Sequence, residues 1–166
     1  MTTPQKAFAS TYKSASVQTA SPGQLVLMLY DGALRFMTQA QEGFAIQNTR
    51  ERNEAINNNL IKAQNILAEL QSSLDMKVEG EFPKTMFRLY DFMIRQLQSA
   101  NIRKEAEPIK VVYGMLKDIR DAWEEMLKKN DTKSAEEKAK AIAAETPKDA
   151  PADKDAKVGG GLNASA

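Results

Sequence analysis

Cysteine and histidine are both absent from this 166-residue chain, and each absence closes off a kind of chemistry. Without cysteine there are no disulfides and no thiolate metal sites. Without histidine the commonest general base and the commonest ligand for zinc, copper or iron are gone. Neither sign of charge dominates: 23 basic and 22 acidic residues are interspersed and leave a net charge of +1. No dense basic run marks a surface that would follow a phosphate backbone, which argues against nucleic-acid binding. Long apolar runs are missing as well. No stretch approaches the ~20 residues needed to cross a bilayer, and the opening MTTPQKAFASTYKSAS lacks the apolar centre of a secretory signal. Glycine-rich phosphate loops and nucleophile elbows are also lacking. These absences lead to the expectation of a cytoplasmic, non-membrane, non-catalytic protein that needs no cofactor.

What is present is helical patterning. Residues 1–20 are small and polar, with isolated Phe8, Tyr12 and Val17, and read as a flexible N-terminal arm carrying at most a short extra helix. Ser21-Pro22-Gly23-Gln24 is a helix start: Ser21 can cap, Pro22 suits the first helical position, and Gln24 completes a capping box. A first helix is expected to about Ile46. A second, with Thr49 as its cap, should reach about Leu74, because Ile56, Leu60, Ala63, Leu67, Leu70 and Leu74 form one stripe at three- and four-residue steps. Gly80 interrupts the pattern. Pro83 opens a third helix to about Asn101, with Met86, Leu89, Met93, Leu97 and Ala100 facing inward. A fourth begins near Glu105 and tolerates Pro108 in its first turn, its stripe running from Ile109 through Val112, Leu116, Ile119 and Trp123 to Met126. Long helices joined by short turns imply an all-α, antiparallel four-helix bundle over 21–127. Residues 128–166 are rich in Lys, Glu, Asp and Ala, carry Pro147 and Pro151 and end GGGLNASA. They read as a disordered charged tail, transiently helical around 133–145. A faint repeat links Leu29-Tyr30-Asp31…Arg35 to Leu89-Tyr90-Asp91…Arg95 sixty positions on and hints at a duplicated helical hairpin.

The apolar residues exceed what one core needs. The first helix has an expected core stripe of Leu25, Leu29, Gly32, Phe36 and Ala40, and a second apolar face from Val26, Leu27, Tyr30, Leu34, Met37 and Phe44. Ile61 and Ile66 on the second helix, and Phe87, Tyr90 and Ile94 on the third, add to the surplus. A helix apolar on two sides must be covered by something: the chain's own N-terminal segment folding back, or a partner's amphipathic segment in a groove. Eight methionines make an adaptable apolar surface of the kind used for binding. The carboxylates have a blander explanation. Asp31 with Arg35, Asp91 with Arg95 and Arg120 with Glu124 have the four-residue spacing of surface ion pairs. Tyr30 and Tyr90 are expected to pack their rings and hydrogen-bond outward.

Four blocks in order resemble a known family. They are Tyr12 with Ser21-Pro22, Leu25 and Leu29-Tyr30-Asp31-Gly32; Asn59-Leu60-Ile61-Lys62-Ala63-Gln64-Asn65-Ile66-Leu67 with Glu69-Leu70 and Leu74; Leu89-Tyr90-Asp91-Phe92-Met93 with Arg95, Leu97 and Ala100-Asn101; and Asp121-Ala122-Trp123. Together, over residues 8 to about 127, they resemble the flagellin export chaperones. Val78-Glu79-Gly80-Glu81 departs from the family's paired glycines in the loop before the third helix. The resemblance implies a cytoplasmic chaperone that binds the C-terminal segment of flagellin in apolar grooves, prevents its early polymerisation and helps deliver it to the flagellar type III export apparatus. The export gate is a candidate second partner. The tyrosine matching Tyr12 would lie near the groove. Client contacts are expected at Tyr12, Leu27, Tyr30, Leu34, Ile61, Tyr90 and Ile94. In an alternative reading the same faces pair two copies into a homodimer and the chain is a structural adaptor.

Overall fold

The computed structural model describes residues 20–145. Tyr12 and the rest of the N-terminal arm, and the end of the tail, lie outside the described residues. Four helices follow one another: α1 (Pro22–Gly43), α2 (Thr49–Ser72), α3 (Phe82–Arg103) and α4 (Glu107–Glu145). Their starts are written locally. Ser21 Oγ accepts the Gln24 N–H at 3.2 Å, and Pro22 takes a position where no N–H partner is needed. The cap of α2 is Asn48, one residue earlier than expected, whose Oδ1 accepts the Glu51 N–H at 3.0 Å. A carboxamide oxygen reaches the first-turn donors as well as the hydroxyl of Thr49 would, and Thr49 becomes the first helical residue. Phe82 precedes Pro83 as the first residue of α3, and Lys104 closes that helix in the left-handed region at φ 53°.

Cross-helix contacts fix the directions. A side chain at Gly32 would stand 3.3 Å from Ile66, and one at Gly43 would stand 3.2 Å from Ile56, so α1 and α2 run antiparallel. Asn57 meets Asn101, and Gln71 Nε2 donates to the Phe87 carbonyl at 3.1 Å, so α2 and α3 are antiparallel too. α4 returns along α1: Asp31 bonds Arg120, and the Gly23 carbonyl accepts from Trp123 Nε1 at 2.9 Å. The backbones of α1 and α2, and of α2 and α3, approach closely. α4 reaches α1 through long side chains. An up-and-down bundle follows.

The core is continuous and apolar. Ile56, Leu60, Ala63, Leu67 and Leu70 are buried on α2, Met86, Met93, Leu97 and Ala100 on α3, and Ile109, Val112 and Leu116 on α4. These are the expected stripes, except that Leu74, Leu89, Ile119 and Trp123 are partly buried at the margin and Met126 is exposed. α1 is rotated from its expected phase. Its buried residues are Tyr30, Gly32, Ala33, Leu34, Met37, Ala40 and Gly43, whereas Leu25, Leu29 and Phe36 are half-buried. The reason is that α1 has two neighbours. Gly32 and Gly43 meet α2, Gly23 and Asp31 meet α4, and the line 30–33–37–40 between them points at the centre. Much of the apolar surplus is therefore consumed inside the bundle.

α4 runs past the expected end at Leu127 to Glu145. Residues 128–144 are all exposed, so this stretch is helical by local propensity of Ala, Glu and Lys and not by packing. The chain divides into two compact units between Leu127 and Lys128. Leu67→Ala, at a fully buried site, should lower unfolding free energy by about 3 kcal/mol, against less than about 1 kcal/mol for Ile61→Ala at the surface. Urea denaturation of both variants checks the contrast.

Candidate partner-binding surface

Among the described residues, one buried side-chain hydrogen bond crosses the centre of the bundle. Tyr30 Oη and Tyr90 Oη lie 2.6 Å apart, buried, and join α1 to α3. The expectation that both hydroxyls bond outward is corrected here: each phenol is satisfied by the other, because the rotation of α1 turns Tyr30 inward. The two residues are equivalent members of the sixty-residue repeat. Buried positions 30, 33, 37 and 40 of α1 recur as 90, 93, 97 and 100 of α3, which gives the duplicated-hairpin pattern a structural counterpart. Burial raises the Tyr30 pKa from its ordinary 10.0, although the bond to Tyr90 works against this. Burial likewise drives Tyr90 well above its ordinary value, helped by its hydrogen bond and charge interaction with Tyr30.

Around this pair, α1 and α4 are laced together. The Trp123 ring stands edge-on to Tyr30, with centroids 6.3 Å apart at 81°. Arg120 Nε donates to Asp31 Oδ1 at 2.7 Å, and its Nη1 donates to Asp121 at 3.2 Å and to Glu124. The bond to Asp31 is the main cause of an Arg120 pKa raised above its usual range. Asp31 therefore faces α4 and not Arg35, contrary to its spacing, whereas Asp91 pairs with Arg95 at 3.0 Å as the spacing predicts. Arg35 instead lies 5.8 Å from the centroid of the Phe36 ring, with Lys62 of α2 5.4 Å from the same ring.

The expected contact residues fall into three groups. Tyr30, Leu34 and Tyr90 are core, at 2%, 7% and 2% exposure, so a client laid on the surface does not touch them in this conformation. Their apolar bodies and helical spacing signalled burial as much as binding. Ile61 is 43% exposed and Ile94 half-buried. The Asn57–Asn101 and Gln71–Phe87 pairs bracket them and place them along one outer seam between α2 and α3. Leu27 is half-buried and lies one turn from both Gly23 and Asp31, on the α1–α4 side. The structure thus brings Ile61 and Ile94 together and leaves Leu27 on a separate seam. Exposed residues not singled out as client contacts include Phe92, at 42%, and Phe82, at 65%. Phe92 sits within a quoted family block, yet its position off the inward stripe was the signal for exposure.

The profile of the family described as flagellar protein FliS matches residues 4–130. The chain belongs to this family. It is 41% identical over 116 residues to the flagellar secretion chaperone FliS of Bacillus subtilis, an alignment covering 70% of this chain and 83% of that protein. To the protein of the same name from Salmonella typhimurium it is 36% identical over 122 residues, 73% and 87% of the two chains. The Escherichia coli counterpart is 32% identical over 123 residues. The matched region takes in all of α1 to α3 and the packed part of α4. Among the described residues no helix is long and apolar enough to cross a membrane, and no group of acidic side chains could hold a metal ion.

Removing one phenol hydroxyl leaves the other buried without a partner. Tyr30→Phe or Tyr90→Phe should each cost about 1–3 kcal/mol, and the double variant should recover most of that loss. A double-mutant cycle by urea unfolding measures the coupling. In the unfolded chain both tyrosines ionise near pH 10, whereas in the folded chain they hold their protons to higher pH. The folded state then binds more protons, so stability should be full below about pH 10 and fall as pH rises beyond it. The double variant should flatten that decline.

Proposed function

We propose that this protein is a non-catalytic flagellar export chaperone that binds the C-terminal segment of flagellin in the cytoplasm. It thereby keeps flagellin from polymerising early and assists its delivery to the type III export apparatus, with the export gate as a second partner. Family membership carries this reading. The bundle supports it by leaving apolar residues on more than one outer seam after the core is complete: Ile61 and Ile94 between α2 and α3, and Leu27 beside α4. Because these lie on different sides, a client covering them has to wrap around the bundle, which suits an extended segment that orders on binding. The contacts proposed are Leu27, Ile61 and Ile94, joined by Tyr12. Tyr30, Leu34 and Tyr90 shape the surface from beneath.

Isothermal titration of the full chain with the C-terminal segment of flagellin from the same organism tests the proposal. Saturable binding near one to one, with a negative heat-capacity change from apolar burial, is the expected outcome. No heat at several temperatures, with no co-purification, would overturn it. Ile61→Asp should weaken binding by roughly tenfold or more while melting nearly as the parent does, since Ile61 is at the surface, whereas Ile94→Asp should weaken binding and also lower the melting temperature, since Ile94 packs partly against the core.

A further inference from the structure

The outer line of α3 carries basic charge that the bundle answers only at Arg95, through Asp91. Lys84, Arg88, Arg95 and Ile102 recur at steps of four, seven and seven residues, so they lie along one crest, opposite the buried line of Met86, Met93 and Leu97. All four are exposed, Ile102 at 84%. Phe87 flanks the crest on the α2 side and Phe92 on the other, each 42% exposed. Arg88 and Arg95 bracket Phe92 one turn before and after. Asp91 pairs with Arg95, whereas Lys84 and Arg88 have no ion-pair partner among the described residues.

Several candidate occupants fail on charge. The chain's own ends do not supply the complement: residues 1–19 carry Lys6 and Lys13 and no acid, and residues 146–166 balance three lysines against Asp149, Asp153 and Asp155. A two-fold dimer through this face would set basic crest against basic crest. A membrane-surface helix needs apolar residues at the centre of its buried face and bases at the edges; here the bases form the centre and the aromatics the edges.

We infer that the α3 crest is a docking surface for an acidic amphipathic helix of another protein, with carboxylates meeting Lys84, Arg88 and Arg95 and apolar side chains seated on Phe92 or Phe87. This surface is independent of the flagellin reading, since its recognition is electrostatic and its residues are not the contacts proposed for that client. Such a contact forms quickly and weakens with salt, properties suited to a transient docking step.

The test uses fluorescence anisotropy of the full chain with a labelled amphipathic peptide of about 18 residues, long enough for roughly five helical turns. It carries Leu on one face and Glu on the other, and its twin has Gln in place of Glu. The Glu peptide should bind roughly tenfold tighter than the twin at low salt, lose that advantage at high salt, and lose it in Arg88→Glu. Arg88→Gln should fall between, and Phe92→Ala should weaken both peptides. Helicity by circular dichroism confirms that each variant is folded. Equal binding of the two peptides, or no effect of Arg88→Glu, would overturn the inference. So would salt-sensitive self-association through Arg88, or tighter Arg88-dependent binding to phosphatidylserine vesicles than to the Glu peptide. Loss of flagellin-segment binding in Arg88→Glu would also refute it, by making the crest part of the client site.

Discussion

A phenol hydroxyl carried into an apolar core must find a hydrogen-bond partner there or cost on the order of several kcal/mol. Tyr30 and Tyr90 meet that constraint with a single bond between them, and much of the bundle's cross-section follows from it. The bond requires α1 to be turned so that position 30 looks inward, and that turn carries Ala33, Met37 and Ala40 into the core with it. It also sets Leu29, Gly32 and Phe36 against α2, and Asp31 against α4, where Arg120 and Trp123 meet the chain. Because α1 and α3 are not close in backbone, the tyrosines span the gap with long, largely apolar side chains that end in a polar tip.

The repeat makes this arrangement economical. Two hairpins with matching inward positions place equivalent residues opposite each other across the core, and a tyrosine that appears twice becomes its own partner. Polar satisfaction is complete among the described residues, with no buried side-chain nitrogen or oxygen left unbonded. Once the core is closed in this way, the remaining apolar side chains of the described residues are distributed over several seams.

The sequence was legible wherever a local rule set the answer. Ser21-Pro22 and Pro83 marked helix starts within a residue, and the single stripes of α2 and α4 named their buried residues, overreaching only toward the ends at Leu74, Ile119, Trp123 and Met126. α1 was misread in phase for a physical reason: with apolar residues on both sides, 25–29–32–36–40 and 30–33–37–40 satisfy the same spacing, and of the first only Gly32 and Ala40 are buried. The tyrosines were misread because a phenol prefers water unless a partner is present, and that partner sits sixty residues away. The end of α4 lay beyond any packing rule, since its last turns are held by intrinsic helix preference alone. The candidate contacts suffered from the same ambiguity as α1. Three of the seven turned inward, whereas Ile61 and Ile94 were placed on one seam by the α2–α3 register.

Trp123 is the only tryptophan in the chain, and it stands where α4 meets α1, its ring edge against Tyr30 and its indole N–H on the Gly23 carbonyl. Its near-ultraviolet emission is therefore a private signal from that one seam. Anything that pries α4 from α1 withdraws the carbonyl from the indole and lets in water, shifting the emission to longer wavelength. Events confined to α2 and α3 leave it alone. The molecule carries its own optical gauge for distinguishing a client that opens the bundle from one that only lies upon it.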